Sequence, residues 1–373
     1  MDSRLLLVHR VLVEGSSVAL AARLAGVSRE TAYRWIRRAK EVGIDELREH
    51  SRRPHTSPLE TPEEVVSALL ALRQRYPLFG PLKLCALLDV PLNPRTAARI
   101  LKRHGYSQPK QLMPEEILQR FERSQSNELW QMDFKGLKRR GQGYEILSIL
   151  DDATRCCLAL KALPDQRLVS VWETLWSLFG EVGLPDEILS DNGPAFGSGG
   201  VWRLSKLDAM LLRLGIRPTH GRPYHPQTQG KVERFHGTLQ QEVGPDLYAP
   251  TFEEAEQRLE QFRAFYNWQR PHQALDQKFP GSLYRPSKKH RPSTLPEPNY
   301  PAGSQIRRTE QDGYFQFKGQ GYRAGKGLAR QAIAIRECST TGVLEVYFCD
   351  VKLAPLDDLK VSRMSCPEVS RMY

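Results

Sequence analysis

The sequence has few of the features that mark membrane, secreted or disulfide-stabilised proteins. No stretch reaches the ~18 consecutive apolar residues of a membrane span, and the apolar run at residues 5–8 is too short for a signal peptide. Only 6 of the 373 residues are cysteine, and none forms a Cys-x-x-Cys pair or stands beside histidines at zinc-ligand spacing. These absences argue against a zinc module and predict a soluble, cytoplasmic protein with reduced thiols and no membrane partner.

Acidic residues are also in deficit. The chain has 43 Asp and Glu against 54 Lys and Arg, which gives a net charge of +11. A basic protein of this length favours a polyanionic partner, although charge alone does not distinguish nucleic acid from an acidic membrane surface. The length allows two to four domains at ~100–200 residues each.

Residues 1–55 are predicted to form a helix-turn-helix domain. A short helical run at 18–25 ends at Gly26, and Ser28 can cap a second helix that continues to Val42, before Gly43. The second helix has an apolar back and a cationic face, as a DNA-recognition helix requires. A three-helix bundle with a solvated basic face is the alternative. The predicted DNA contacts on this helix are Arg29, Arg34, Arg37 and Arg38.

Residues 56–115 have a similar helical plan. Thr61 and Pro62 begin one helix, and Asn93 and Pro94 begin another with a basic outer face. The pattern predicts a second helical, helix-turn-helix-like domain that binds DNA. A plain linker bundle is the alternative.

Residues 116–285 alternate between strand and helix patterns. Short links between the first three strands favour an antiparallel meander, and the whole segment indicates an α/β layer fold. The predicted strands are 130–134, 144–151, 155–162 and 187–190, and the predicted helices are 166–179, 201–214, 229–242 and 252–268.

Residues 286–373 begin as a proline-containing basic linker and continue as short β-rich runs at 314–318, 331–337 and 343–349, separated by glycine turns. The pattern predicts a small β-barrel-like domain. Lys288 and Lys289, in the basic linker, are predicted phosphate contacts.

Three carboxylates of the α/β segment are candidates for chemistry. Asp133 lies within the first strand, Asp191 follows the fourth strand, and Glu233 lies at the border of the inward stripe of a helix. Clustered carboxylates repel one another unless a cation neutralises them, and Mg²⁺ or Mn²⁺ prefers such oxygen donors. For each acid alone, a turn-forming or solvated role is the alternative.

The motifs around these acids resemble those of integrase-core DDE transposases, and with the N-terminal helix-turn-helix they are similar to insertion-sequence transposases of the 481 family. The resemblance extends over roughly residues 10–290, and its longest motif surrounds Glu233. The matching segments are WQMDFKG at 130–136, LDDATR at 150–155, SDNGP at 190–194, GRPYHPQTQGKVERFH at 221–236 and YNWQRPHQAL at 266–275.

This resemblance implies a ribonuclease-H-like core in which Asp133, Asp191 and Glu233 are catalytic and bind two Mg²⁺ ions, with Mn²⁺ as a plausible substitute. It also implies a reaction, in which water attacks at the transposon ends and the freed 3′-hydroxyl then attacks target DNA. Two DNA ends must be held together, so the partners would be double-stranded DNA and other copies of the chain.

Several alternatives stay open from the sequence. Lys231 is a predicted DNA contact or a solvated lysine, because it does not share a helix face with Glu233. Asp151 and Asp152 are expected to order the turn before Arg155 rather than to bind metal. The whole chain could also be a former transposase kept as a DNA-binding regulator, or a nuclease of similar fold that cuts without joining.

Overall fold

The computed structural model describes most of the chain, in segments separated by gaps. The described residues are 3–44, 47, 60–106, 123–135, 144–191, 204–221, 230–244, 251–338 and 342–361. They divide into two compact units, Met1–Glu63 and Glu64–Tyr373. No helix within the described segments is long and apolar enough to cross a membrane.

Among its described residues, the first unit has three helices around a small apolar core, α1 (Ser3–Leu12), α2 (Val18–Leu24) and α3 (Arg29–Val42). Ser28 caps α3 by accepting a hydrogen bond from the Thr31 amide at 3.1 Å. Ala32, Ile36 and Ala39 turn inward from α3, and this spacing leaves its basic face to solvent. The observed turn and recognition helix agree with the predicted helix-turn-helix.

The second unit begins with another small helical group, called here the α4–α6 module: α4 (Glu63–Arg75), α5 (Pro81–Ala86) and α6 (Pro94–Arg103). The Asn93 side chain caps α6 by accepting from the Arg95 amide at 2.9 Å, and Pro94 is its first residue. Leu69, Leu84 and Ala97 are fully buried where the three helices meet. The predicted domain limits at 55 and 115 fall outside the described residues and stay a prediction.

A mixed five-stranded sheet forms the centre of the second unit, in the order β3-β2-β1-β4-β5. The first three strands pair antiparallel as predicted, and β4 and β5 continue the sheet in parallel from β1. The sequence did not predict β5, which has only four residues and contains Pro218, a residue tolerated at a sheet edge. The strands are β1 (Trp130–Lys135), β2 (Glu145–Asp151), β3 (Cys157–Leu163), β4 (Glu187–Ser190) and β5 (Arg217–His220).

Helices cover both faces of this sheet. On one face, α7 (Leu168–Val182) and α8 (Lys206–Arg213) share a core with Trp130 and Met132 of β1. On the other face, a second core joins β2 and β3 to two further helices. These are α9 (Gly230–Glu242) and α10 (Phe252–Trp268), and the short helix α11 (Pro280–Leu283) follows them.

The described part of the C-terminal region contains six short strands around one core, which includes Phe315, Ile335 and Phe348. The sequence predicted a barrel-like closure, but the described strands form a four-stranded antiparallel sheet, β11-β10-β9-β6, and a separate hairpin, β7-β8. The core of this region also takes in Ala209 of α8, so the C-terminal sheets pack directly on the α/β layer. The strands are β6 (Gln305–Arg308), β7 (Tyr314–Phe317), β8 (Gln320–Arg323), β9 (Ala332–Glu337), β10 (Leu344–Phe348) and β11 (Val351–Pro355).

Candidate active site

Asp133 and Asp191 are brought together by the register of two parallel strands. β1 and β4 run parallel, with Met132 opposite Ser190. The next residues along the two neighbouring segments are Asp133 and Asp191, so they are adjacent in register. Neighbouring strands lie ~4.8 Å apart, and residues in the same register point to the same face. Asp191 follows the last residue of β4, where the chain leaves the sheet.

Glu233 lies on α9, the helix that packs over β1, and its charge acts on Asp133. Val232, Phe235 and Leu239 are buried against the sheet, and Glu233 lies in the first turn with an exposed side chain. It is therefore placed at the rim of the same edge of the sheet rather than inside the core. Parts of the motifs around Asp191 and Glu233, at 192–203 and 222–229, lie outside the described residues.

The pKa of Asp133 responds to both of the other carboxylates. The pKa of Asp133 is raised to about 6, chiefly by burial and also by the negative charges of Asp191 and Glu233, against a hydrogen bond from the Phe134 backbone that lowers it. A carboxyl group with two acidic neighbours and little water is held partly protonated near neutral pH, unless a cation joins them.

This donor set fits a hard divalent cation. Three carboxylates in mutual repulsion provide the oxygen ligands that Mg²⁺ and Mn²⁺ prefer, and a bound cation would remove the repulsion that raises the pKa of Asp133. In the part of the chain that the structure describes, no three His, Cys, Asp or Glu side chains are arranged to hold one ion as they lie.

A buried histidine lies beside the Asp133 carboxylate. His236, one turn after Glu233 on α9, has Nε2 at 2.9 Å from the buried Ser148 hydroxyl and Nδ1 at 3.7 Å from the Asp133 carboxylate. Burial lowers the pKa of His236 to about 4, with a further contribution from Lys135, so its imidazole is neutral at pH 7. The contact with Asp133 is therefore a polar one rather than an ion pair.

A second histidine supports the main chain of Asp191. His220, the last residue of β5, has Nδ1 at 3.2 Å from the Ser190 hydroxyl and 3.4 Å from the Asp191 carbonyl oxygen. Its Nε2 lies 3.1 Å from the carboxylate of Asp208, which is buried at the start of α8. Asp208 also accepts from the Ser205 amide at 2.7 Å in a capping box. Asp191 is thus linked to the N-terminus of α8.

The hydrogen bond that His220 donates to the Asp208 carboxylate, followed by the charge of Asp208 and the nearby Asp191, raises the pKa of His220 despite burial. Because folding raises this pKa, protonated His220 stabilises the fold fully below its ordinary value of 6.5, and that contribution is lost as the pH rises above it. We expect His220→Asn to cost about 1–2 kcal/mol of unfolding free energy at pH 6 and less at pH 9. Urea unfolding of both proteins at the two pH values measures this, and a difference that grows with pH would contradict it.

Asp151 and Asp152 order the turn after β2, as expected. Asp151 accepts hydrogen bonds from the amides of Asn127 and Thr154 at 2.7 and 2.9 Å. Arg155 donates to the backbone carbonyl of Asp152. The Asp152 side chain, 2% exposed, instead accepts from Gln131 at 2.7 Å and from the Lys231 ammonium at 2.5 Å.

The predicted DNA contacts lie on three different surfaces. On α3, Arg29, Arg34 and Arg37 are exposed, whereas Arg38 is half-buried. In the basic linker, Lys288 is exposed and Lys289 pairs with Asp186 at 2.5 Å. Lys231 pairs with Asp152 and anchors the start of α9 to the turn after β2. The structure does not test whether these residues contact DNA, so the assignments stay predictions.

Sequence analysis missed three residues of the site, His236, His220 and Asp208. The position of His236 carried a usable signal, because a residue three places after Glu233 on a helix lies on nearly the same face. His220 and Asp208 carried none, since their proximity depends on β5, which the sequence did not predict.

Five domain families match successive parts of the chain. A helix-turn-helix domain matches residues 3–55 and a homeodomain-like domain matches 31–101. Integrase core domains match 123–226 and 214–280, and the C-terminal domain of IS481 family transposases matches 304–363. These matches confirm the predicted order of helix-turn-helix modules, an integrase core and a C-terminal domain.

Curated relatives are similar over about 30% of this chain. The Gag-Pol polyprotein of baboon endogenous virus (strain M7) is 32% identical over 114 residues, which are 30% of this chain and 6% of the relative. The Gag-Pro-Pol polyprotein of simian retrovirus SRV-2 is 33% identical over 113 residues, with the same shares of the two chains. The chain therefore spans about 6% of the length of these relatives.

Solved structures of retroviral integrases are also similar. The HTLV-2 integrase catalytic core domain in complex with magnesium is 16% identical, with a TM-score of 0.35, and the match covers 43% of this chain and 98% of that one. A chain of the simian T-cell lymphotropic virus intasome, in complex with a PP2A regulatory subunit, is 20% identical with a TM-score of 0.38. That match covers 77% of this chain and 99% of the other.

Proposed function

Because the chain has an integrase core behind helix-turn-helix domains and ends in the C-terminal domain of IS481 family transposases, we propose that it is a transposase that binds the ends of its own element. It cleaves DNA strands at those ends and joins them to target DNA. The integrase core makes it an enzyme of the polynucleotidyl transferase type. The finer assignment is a DDE active site formed by Asp133, Asp191 and Glu233.

The observation that carries this proposal is the coupling of three carboxylates from separate motifs. Asp133 and Asp191 are register neighbours on parallel strands, and both Asp191 and Glu233 raise the pKa of Asp133. A fold gains no stability from such repulsion, so the cluster is best explained by a function that a cation completes.

Asp133, between the other two acids, would be the ligand shared by two Mg²⁺ ions, with Asp191 and Glu233 each completing one. A pair of divalent ions supplies charge stabilisation for the attacking and leaving oxygens of a phosphodiester displacement. His236 stays neutral beside Asp133 and leaves its carboxylate negative for the ions. His220 and Asp208 fix the main chain of Asp191.

In the displacement itself, an oxygen of water or of a DNA 3′-hydroxyl forms a bond to phosphorus as the opposite phosphorus–oxygen bond breaks. The departing oxygen takes the proton that the attacking oxygen loses, directly or through solvent. No covalent bond to the protein is required, so positioning and charge are what the side chains contribute.

Double-stranded DNA is the partner that the surfaces favour. The exposed arginines of α3 and the exposed Lys288 offer cations for phosphate and base contacts, in a chain of net charge +11. Because two ends must be cut and joined together, we propose that the DNA-bound form is a homo-oligomer.

The two other functions differ from this one in what they do with a cut end. A DNA-binding regulator has no need of three coupled carboxylates, and a nuclease of the same fold cuts without joining.

We expect the protein to insert a pre-cut element end, which carries a free 3′-hydroxyl, into a supercoiled plasmid in the presence of Mg²⁺. Joining is measured as the labelled end recovered in plasmid DNA, and an end blocked by a 3′-dideoxynucleotide is the control. Cleavage without joining would indicate a nuclease. Binding without either reaction would indicate a regulator.

A further inference from the structure

Helix α6 of the α4–α6 module has one buried apolar face and one exposed basic face. Ala97, Ile100 and Leu101 are buried in the module. The opposite stripe, at positions i, i+3, i+4 and i+7, is exposed and basic around one small residue, which would let the helix approach a groove closely. This stripe consists of Arg95, Ala98, Arg99 and Lys102.

The module is fixed to the α/β layer by an aromatic cluster. Tyr76 and Phe79, between α4 and α5, stack with ring centroids 4.9 Å apart. Phe265 of α10 joins them with its centroid 6.2 Å from Tyr76 and 6.0 Å from Phe79. Phe79 is 1% exposed, and Phe265 packs against the core of the module as well as its own. The apolar cores of the two parts are therefore continuous.

Charged groups close the same junction. Burial and Arg270 lower the pKa of Lys83, on α5, to about 8, while Glu242 at the end of α9 raises it. Glu242 also lies 4.0 Å from Arg270. The Tyr76 hydroxyl lies 3.5 Å from the Gln269 side chain. Glu242 compensates two half-buried cations here, and such a cluster favours a fixed geometry because displacing the carboxylate leaves the cations uncompensated.

Helix α10 carries this attachment on to the catalytic residues. The Asn267 side chain makes two hydrogen bonds of 2.9 Å with the backbone of Cys157 in β3, one as donor and one as acceptor. Tyr266 meets Phe235 of α9 edge to face, with centroids 4.8 Å apart. Phe235 lies two residues after Glu233. Rigid contacts thus connect α6, the aromatic cluster, α10, the sheet and the helix of Glu233.

We propose that α6 binds the major groove of the element's end as a fixed part of the catalytic body, so that the base pairs it contacts lie at a set distance from the bond that is cut. The proposal rests on the proposed transposase function. The alternative is that α6 only presents a solvated basic face on a loosely attached module. Such a module would not require the shared aromatic core or the half-buried charges at the junction.

The first test identifies the DNA segment that α6 contacts. The full chain is bound to a linear element end, and hydroxyl-radical cleavage maps the protected nucleotides. Arg95→Ala combined with Arg99→Ala is expected to remove protection from one segment of about half a helical turn, ~5 base pairs. Arg167→Ala, which removes an exposed arginine at the start of α7, is the control and should leave the pattern unchanged. An unaltered footprint in the double variant would overturn the proposal.

The second test measures the fixed distance. Five base pairs, which turn the helix by about half a revolution, are inserted between that segment and the terminal bond. Joining at the native bond is expected to fall at least tenfold, because the bond and the α6 segment then face opposite sides of the duplex. Phe265→Ala, which loosens the junction at a half-buried side chain, should reduce this loss.

Equal joining of the native and the extended ends by the unaltered protein would overturn the fixed geometry while leaving the transposase function intact. Failure to join even the native end would instead count against the proposed function, so the two failures are distinguishable.

Discussion

Asp133→Asn is expected to abolish strand joining, by about 10³-fold or more, and to make the metal-free protein more stable. The loss follows because an amide is a poor ligand for Mg²⁺, and removing the shared ligand removes several kcal/mol of transition-state stabilisation. Joining of pre-cut ends measures the activity, and retention of DNA binding shows that the fold persists. Asp165→Asn is the matched control, since Asp165 is a surface residue that orders the start of α7.

The gain in stability follows from the raised pKa. Folding moves the pKa of Asp133 from 3.8 to about 6, so ionisation favours the unfolded chain. A shift of this size corresponds to about 1–3 kcal/mol, which Asp133→Asn would recover above pH 6 and not below pH 4. Urea unfolding without metal at pH 5 and pH 8 measures the difference between the two proteins.

Magnesium should reverse the order of stabilities. Ions that bind only the folded state stabilise it by mass action, so millimolar Mg²⁺ should raise the melting temperature of the unaltered protein and leave that of Asp133→Asn unchanged. An equal rise in both proteins would contradict the assignment of Asp133 as a ligand, even if activity were lost.

Lys231→Met is expected to be among the most destabilising single changes near the site. The ammonium of Lys231 lies 2.5 Å from the Asp152 carboxylate, whose side chain is 2% exposed. Removing one member of a buried pair costs about 3–5 kcal/mol, and here the Gln131 hydrogen bond keeps the loss near the lower end of that range. Glu233 lies two residues further along α9, so joining activity should also fall when the start of α9 loosens.

A double-mutant cycle separates this role from direct DNA contact. In an Asp152→Asn background the carboxylate charge is absent, so Lys231→Met should cost less than half as much stability there. If Lys231 binds phosphate instead, the variant would lose DNA affinity equally in both backgrounds with little change in unfolding free energy.

The sequence was informative where chemistry and periodicity coincide. Helix α10 was predicted at its observed limits and β4 likewise, because buried apolar positions recur there at a clear spacing. The three carboxylates could be named because each stands in a long motif. What escaped prediction depends on tertiary contact: β5 exists because β4 offers it a parallel edge, and His220 reaches Asp208 only once that edge is occupied.

The C-terminal strands also show that the sequence does not predict structure that depends on tertiary contacts. Three of the six were predicted from their β-rich runs, whereas β6, β8 and β11 are four or five residues long and carry no alternation of their own. Their pairing is decided by neighbours far along the chain. Closure of a barrel likewise depends on such pairings, which residue patterns do not encode.

The free-energy cost of ionising Asp133 in the folded protein also has a consequence for how copies of the element decay. Asp133→Asn, which removes this charge and keeps the shape of the side chain, would silence the chemistry and leave a more stable polypeptide that still carries the helices predicted to bind DNA. Defective copies would therefore persist in the cell and occupy the same DNA ends as competent ones. Decay of such an element would begin with self-inhibition rather than with misfolding.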